Sequence, residues 1–465
     1  MIIPLFGLGQ EGKSRTVSAQ KHLNIYAETT ATPDKTPIAF YGTAGTTLRF
    51  SFGDTPCRGG IAVGDYVYYV HRGTFWQVDN AGVQTSRGTI GTTSGRVDMA
   101  YNGTQIAIVD GSNLYIYTIA TTTLSAAVAS GLFSNPVSVT FQDGYFICCF
   151  VNSGRFQLSA LDDGLTWSAL DFANAESNPD NTLRVMADHG EIVLLGEVTT
   201  EFWGNTGAQD FPYSNVRGAT MEYGLAARWS LVKYNDSLCG LFKNRMGQVQ
   251  VMRLQGYTPV PVSNPDMETI INNYATVSDA TGLSYLMNGH PFYQISFPSA
   301  GKSWLFDAKS GMWTQLESGL SGGRHVAEIH VDYLNKPLVT DYSNGSVYEL
   351  DSDVYTDNGT SIPREIITRH VFKDYSPMTI SRLQVDFETG VGLVSGQGST
   401  PKAMLQISKD NGRTWGNELW TNIGAIGKYL TRVIWRRLGV GNDWTFKLRI
   451  TDPVRVAITG ASIEK

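Results

Sequence analysis

Between residues 61 and 350 one pattern recurs seven times: a short run of β-branched and aromatic residues, a tight-turn pair, a second run, another turn and a third run. The clearest copy is residues 97–119, where the runs 97–101, 105–109 and 114–117 are separated by Asn102-Gly103 and Gly111-Ser112. Residues that tolerate positive φ at such points favour hairpins, so each copy reads as a three-stranded antiparallel meander. The other copies are 61–79 (Gly64-Asp65, Arg72-Gly73), 137–158 (Asp143-Gly144, Ser153-Gly154), 184–203 (His189-Gly190, then a blurred turn near Thr199), 229–254 (Asn235-Asp236, Met246-Gly247), 283–308 (Asn288-Gly289, Ala300-Gly301) and 326–350 (Leu334-Asn335, Asn344-Gly345). Starts on the order of 45 residues apart match the blade period of propellers. A lone meander cannot bury its faces, and closure into a ring removes the long edges. Large aromatics on the third runs, Trp76, Tyr115, Phe156, Trp203, Trp304 and Tyr348, are expected to pack between neighbouring blades.

The expected fold is therefore all-β: a propeller-like body of three- to four-stranded meanders, six or seven blades in number, followed by a β-sandwich-like domain. Residues 1–55 read as an N-terminal arm and entry segment of a kind that often lies on a neighbouring subunit. Residues 56–352 read as the propeller and 353–465 as the sandwich. Beyond the polar stretch 351–363 the meander period is lost, and alternating runs at 380–387, 403–407, 431–437, 445–450 and 454–458 suit two packed sheets. One helix is expected, over 263–273, with a polar cap, Pro265, acidic Asp266 and Glu268 in the first turn, and Met267, Ile270 and Ile271 on one face.

Composition agrees with a turn-rich β protein: 465 residues, 49 Gly, 22 Tyr and only 17% charged residues. The first ten residues carry no basic leader, and the longest apolar run, 145–151, is far below membrane-spanning length, so neither ordinary secretion nor membrane insertion is expected. Cys57, Cys148, Cys149 and Cys239 form no CxxC pair and are expected to be buried free thiols. Charge is uneven. From Tyr355 onward 15 Lys and Arg face 10 Asp and Glu, a net +5, and the remaining 21 against 32 leave the body at −11. Such a body disfavours tight binding to a phosphate backbone.

Several motifs invite a chemical reading. Residues 7–14, "GLGQEGKS", match the P-loop pattern, but that loop needs a buried strand before it and a helix after it; Pro4 breaks the first and the second is missing. The sequence 106–110, "IAIVD", sits inside a meander and not beside a nucleotide. In "RHVAEIH", His325 and His330 fall on opposite faces of a strand and share no metal.

Residues 408–415, "SKDNGRTW", fit the Asp-box S-x-D-x-G-x-T-W in full through Ser408, Asp410, Gly412, Thr414 and Trp415. Residues 160–167, "ALDDGLTW", fit through Asp162, Gly164 and Trp167. In this turn the Asp carboxylate accepts backbone amides of its own hairpin, a structural role. The motif is frequent in sialidase propellers, which makes a glycosidase or a glycan-binding module the rival reading. Neither a carboxylate pair nor an arginine cluster marks a site for it. Along "RVIWRR", Val433, Trp435 and Arg437 are expected on one strand face and Arg432, Ile434 and Arg436 on the other. With Lys447 and Arg449, Arg432, Trp435, Arg436 and Arg437 make a candidate assembly interface.

The tail from residue 431, "TRVIWRRLGVGNDWTFKLRITDPVRVAITGASIE", resembles the C-terminal end of the packaged DNA stabilisation proteins of short-tailed bacteriophages, also called head-completion or tail-hub proteins. "GTAGTTLRF" at 42–50, "CRGG" at 57–60, "GRVDMA" at 95–100 and "TEFWGNTGA" at 200–208 are similar to family segments in the same order. The resemblance implies a virion tail protein assembled in the host cytoplasm, six copies forming a ring below the portal and its adaptor. That ring closes the DNA exit after packaging and offers attachment points for tail fibres or spikes and a needle plug. Genomic DNA passes through without sequence-specific binding. It implies no catalytic residues and no cofactor.

Overall fold

The computed structural model describes residues 5–30, 36–175, 178–320, 322–374 and 376–464. Seven antiparallel sheets stand in a ring, each opening with an inner strand: Cys57–Val63, Asp98–Tyr101, Pro136–Gln142, Thr182–Asp188, Tyr223–Leu225, Thr281–Met287 and Ala327–Tyr333. These are blades 1 to 7. The first turns are those the sequence marks. Asp143-Gly144, His189-Gly190, Asn235-Asp236, Asn288-Gly289 and Leu334-Asn335 all hold positive φ at both positions, as a two-residue turn matched to strand twist requires. The blurred second turn of blade 4 is held from outside: the Asp180 carboxylate accepts the amides of Val198 and Thr199 at 2.7 and 2.9 Å.

Each blade carries a fourth, outer strand that the seven-fold pattern does not include, such as Gln84–Thr89 in blade 1 and Asp163–Asn174 in blade 3. In blade 7 that strand is Gly45–Ser51, from the entry segment, paired antiparallel to Ser346–Asp351 with Leu350 opposite Thr46. The ring is thus closed by strand pairing between its two ends.

Seven hydrophobic clusters lie between successive blades, one at each junction. Phe156 of blade 3 meets Trp203 of blade 4 edge to face at 5.0 Å, and Tyr115, Trp304 and Tyr348 occupy the equivalent seams. Trp76 differs, half-buried against Phe52 of the entry segment. All four cysteines are buried and free. The helix is Pro265–Asn272; Asn264 caps it by accepting the Met267 amide at 2.9 Å, and Met267 and Ile271 are buried against blades 5 and 6.

The second domain is a sandwich. One sheet runs Ile25–Thr29, Ile38–Gly42, Ala457–Glu464, Met378–Phe387, Val433–Gly441; the other contains Lys21–Leu23, Arg364–Ile367, Asp443–Ile450, Lys402–Ser408 and Leu419–Asn422. Residues before 56 therefore supply strands to both domains. The second sheet continues into blade 6, where Leu23 pairs in parallel with Gln315. Asn24 rivets the junction: its amide donates to the carbonyls of Glu317 (3.0 Å) and Pro363 (2.8 Å), and its oxygen accepts the Glu317 amide.

Candidate functional site

The full Asp-box forms as expected. Asp410 accepts the amides of Arg413 and Thr414 (3.1 and 2.9 Å) and the hydroxyls of Ser408 and Thr414 (2.7 and 2.5 Å), while the Gly412 amide donates to Ser408. Four donors facing one exposed carboxylate, led by Thr414, hold its pKa far below the usual range. Trp415 lies half-buried on the sheet with the Lys447 ammonium 4.3 Å above its ring.

The second Asp-box is corrected by one residue. Ala160 pairs with Asp163, which puts Leu161 and Asp162 at the apex of a two-residue turn with Asp162 at φ 55°. The capping carboxylate is accordingly Asp163, accepting the Leu165 amide (2.9 Å) and the Thr166 hydroxyl (2.7 Å). Trp167 is buried, its indole N–H donating to Gly164.

The candidate interface separates into two groups. Trp435 belongs to the sandwich core: it is 4% exposed and donates to the Leu419 carbonyl at 2.8 Å. Arg437 adopts φ 59° at a bulge in its strand, so the alternation expected from sequence slips by one there. Arg432, Arg436 and Arg437 all face solvent, and Val433, Trp435 and Leu438 face inward. Lys447 and Arg449 lie half-buried on the outer face of the other sheet, beside the Lys21–Glu365 ion pair at 3.7 Å. Burial lowers the Lys447 pKa.

The P-loop-like segment is an irregular strap against its own chain. Gln10 is buried and donates to the Trp313 carbonyl, and a Cβ on Gly9 would sit 2.9 Å from Gln20. Of residues 1–6, read as the strand that would have to precede such a loop, residues 1–4 lie outside the described residues. Asp110 caps a turn through the Ser112 and Asn113 amides. His330 pairs with Asp332 at 3.2 Å and Glu328 with arginines; among the described residues no cluster of His, Cys, Asp and Glu suits a metal.

A second constellation escapes the sequence reading. The inner strands surround an axial cavity of about 460 Å³. At the end where they begin, Arg96 of blade 2 and Arg184 of blade 4 each bring a guanidinium carbon to 5.3 Å from the Trp229 ring. Trp229 reaches the axis because a short 3₁₀ turn, Arg228–Ser230, interrupts the inner edge of blade 5. Arg96 bonds Glu328 at 3.1 Å, Arg324 bonds the same carboxylate at 2.8 Å, and Arg184 lies 3.7 Å from Asp98. The acid of the body is thus not gathered at the propeller's own axis. The signal was within "GRVDMA", which carries both Arg96 and Asp98.

Two sequence profiles match the chain in tandem: "Bacteriophage P22 Gp10, beta-propeller" over residues 3–355 and "Bacteriophage P22 Gp10, beta-sandwich" over 363–465. The chain belongs to the P22 Gp10 family. Its two Gp10 domains correspond to the propeller and the sandwich described above. A curated relative, "Tail hub protein gp10" of Salmonella phage P22, is 24% identical over 302 residues, spanning 62% of this chain and 61% of the relative's own length. Among solved structures, the WD40 domain of Toxoplasma gondii coronin superposes with a TM-score of 0.40 at 12% identity, covering 70% of this chain and 85% of that one. The WD40 propeller of Doa1 gives 0.41 at 12%, covering 66% and 96%. The N-terminal domain of Nup159 gives 0.42 at 10%, covering 71% and 98%.

Proposed function

We propose that the chain is a structural protein of a bacteriophage tail, a hub subunit that assembles with itself into a six-membered ring beneath the portal and its adaptor. In this reading the ring closes the DNA exit after packaging, passes genomic DNA at ejection without reading its sequence, and carries fibres or spikes and a needle plug. The observation that carries the reading is the family match along both domains, together with the relative's name as a tail hub protein. The architecture suits the task. A propeller closed by strand pairing and seamed by seven hydrophobic clusters resists deformation, as a plug on pressurised DNA must. Ring formation requires a heterologous interface, in which two different patches of each subunit meet. Exposed Arg432, Arg436 and Arg437 on the sandwich provide one such patch.

The glycosidase rival gains nothing from the Asp-boxes, whose carboxylates are occupied by their own turns. The test is size-exclusion chromatography with light scattering in the presence of purified portal–adaptor rings, run beside hydrolysis of a fluorogenic sialoside. A ring assembly without turnover is the expected result. A lone monomer that cleaves the sialoside contradicts it.

A further inference from the structure

We propose that the Arg96–Trp229–Arg184 end of the propeller's axial cavity is a seat for an acidic peptide segment of a partner protein. The inference goes beyond the hub reading and does not depend on it. Three guanidinium groups meet at this end, those of Arg96, Arg184 and Arg324, and two carboxylates, Asp98 and Glu328, face them. One positive charge is left unmatched in a partly buried place within a chain whose net charge is −6.

The carboxylates are moreover already shared. Glu328 serves both Arg96 and Arg324, and Asp98 also accepts the Ser138 hydroxyl at 2.7 Å and the Val139 amide at 3.2 Å. The Nε of Arg184 is buried with no hydrogen-bond partner. Donors held in that state cost stability until an acceptor arrives, and an incoming carboxylate lowers the cost.

Shape decides the class of ligand. Arg184 of blade 4 and Asp98 of blade 2 stand 3.7 Å apart on one side of the axis, bridged by Ser138 and Val139 of blade 3, so the charged groups are held on a rigid rim. The cavity of about 460 Å³ lies within the range that holds a compact ligand or a few side chains. Guanidinium forks match planar carboxylates, and the indole provides an apolar wall for the methylenes of Glu.

The test is isothermal titration of the full chain, at low ionic strength, with an acetylated and amidated hexaglutamate peptide and separately with hexathymidylate. Saturable binding of hexaglutamate is expected, weakened by about tenfold in Arg184→Gln, which removes one charge-assisted contact. Because that variant also breaks an internal pair, Glu328→Gln is the second arm: it frees two guanidinium groups, and binding tightens. No binding of hexaglutamate overturns the proposal. Hexathymidylate binding more tightly than hexaglutamate, or affinities unchanged in both variants, overturns it equally.

Discussion

Leu350 at the end of the seventh blade stands opposite Thr46 of the entry segment in one antiparallel ladder, although almost the whole propeller lies between them in sequence. That pairing turns a row of seven sheets into a ring and covers the outer edge of the third strand of blade 7. The closure brings the two ends of the body together at the sandwich, where Asn24 and the parallel Leu23–Gln315 pairing fix one domain on the other.

The seams between blades bear the load of the ring. Phe156 is fully buried against Trp203, so Phe156→Ala leaves a cavity on both sides of one seam. The expected loss is about 3–5 kcal/mol, measured by equilibrium denaturation.

Stability should fall in acid in part through one buried ring, that of His22. His22 has no exposed surface and stacks on Phe40 at 5.8 Å; burial lowers its pKa from 6.5 to about 4. The folded protein favours neutral imidazole, whereas the unfolded chain takes up the proton below about 6.5. The contribution is present above 6.5 and is lost as pH falls toward 4, up to about 3 kcal/mol in all. His22→Gln is expected to show a shallower decline than the parent in denaturant midpoints between pH 7 and pH 5; equal slopes would refute the assignment.

The two Asp-boxes predict an uneven response to substitution. Asp163→Ala and Asp410→Ala remove carboxylates that hold their own hairpins and should lower the melting temperature. Asp162→Asn, which keeps a residue suited to the left-handed apex, should leave it unchanged.

The sandwich strand divides cleanly between core and surface. Trp435→Ala is expected to destabilise by about 3–5 kcal/mol. Arg432→Glu with Arg436→Glu should leave the melting temperature in place and weaken ring formation in light scattering. Unchanged assembly would remove these arginines from the interface.

The residues that made the fold legible are the ones that govern backbone sign. Asn235-Asp236 and Leu334-Asn335 announce hairpins because few residues accept positive φ, and the seven-fold recurrence then requires closure. The outer strands were not legible. Thr123–Leu124 is two residues long, and Gly45–Ser51 belongs to its blade only through a partner distant in sequence. Trp435 read as a surface residue because the three arginines around it obscured an inward alternation, which the bulge at Arg437 then breaks. Trp229 opened the fifth repeat in the sequence, yet no periodicity reveals that a 3₁₀ turn carries it to the axis between arginines from two other blades.

The most direct measurement is a cryo-electron microscopy reconstruction of the phage particle that contains this chain. Six copies of the seven-bladed propeller and its sandwich are expected, ringed about the tail axis immediately below the portal and adaptor. Particles lacking the chain, or holding it as single copies away from that axis, would contradict it.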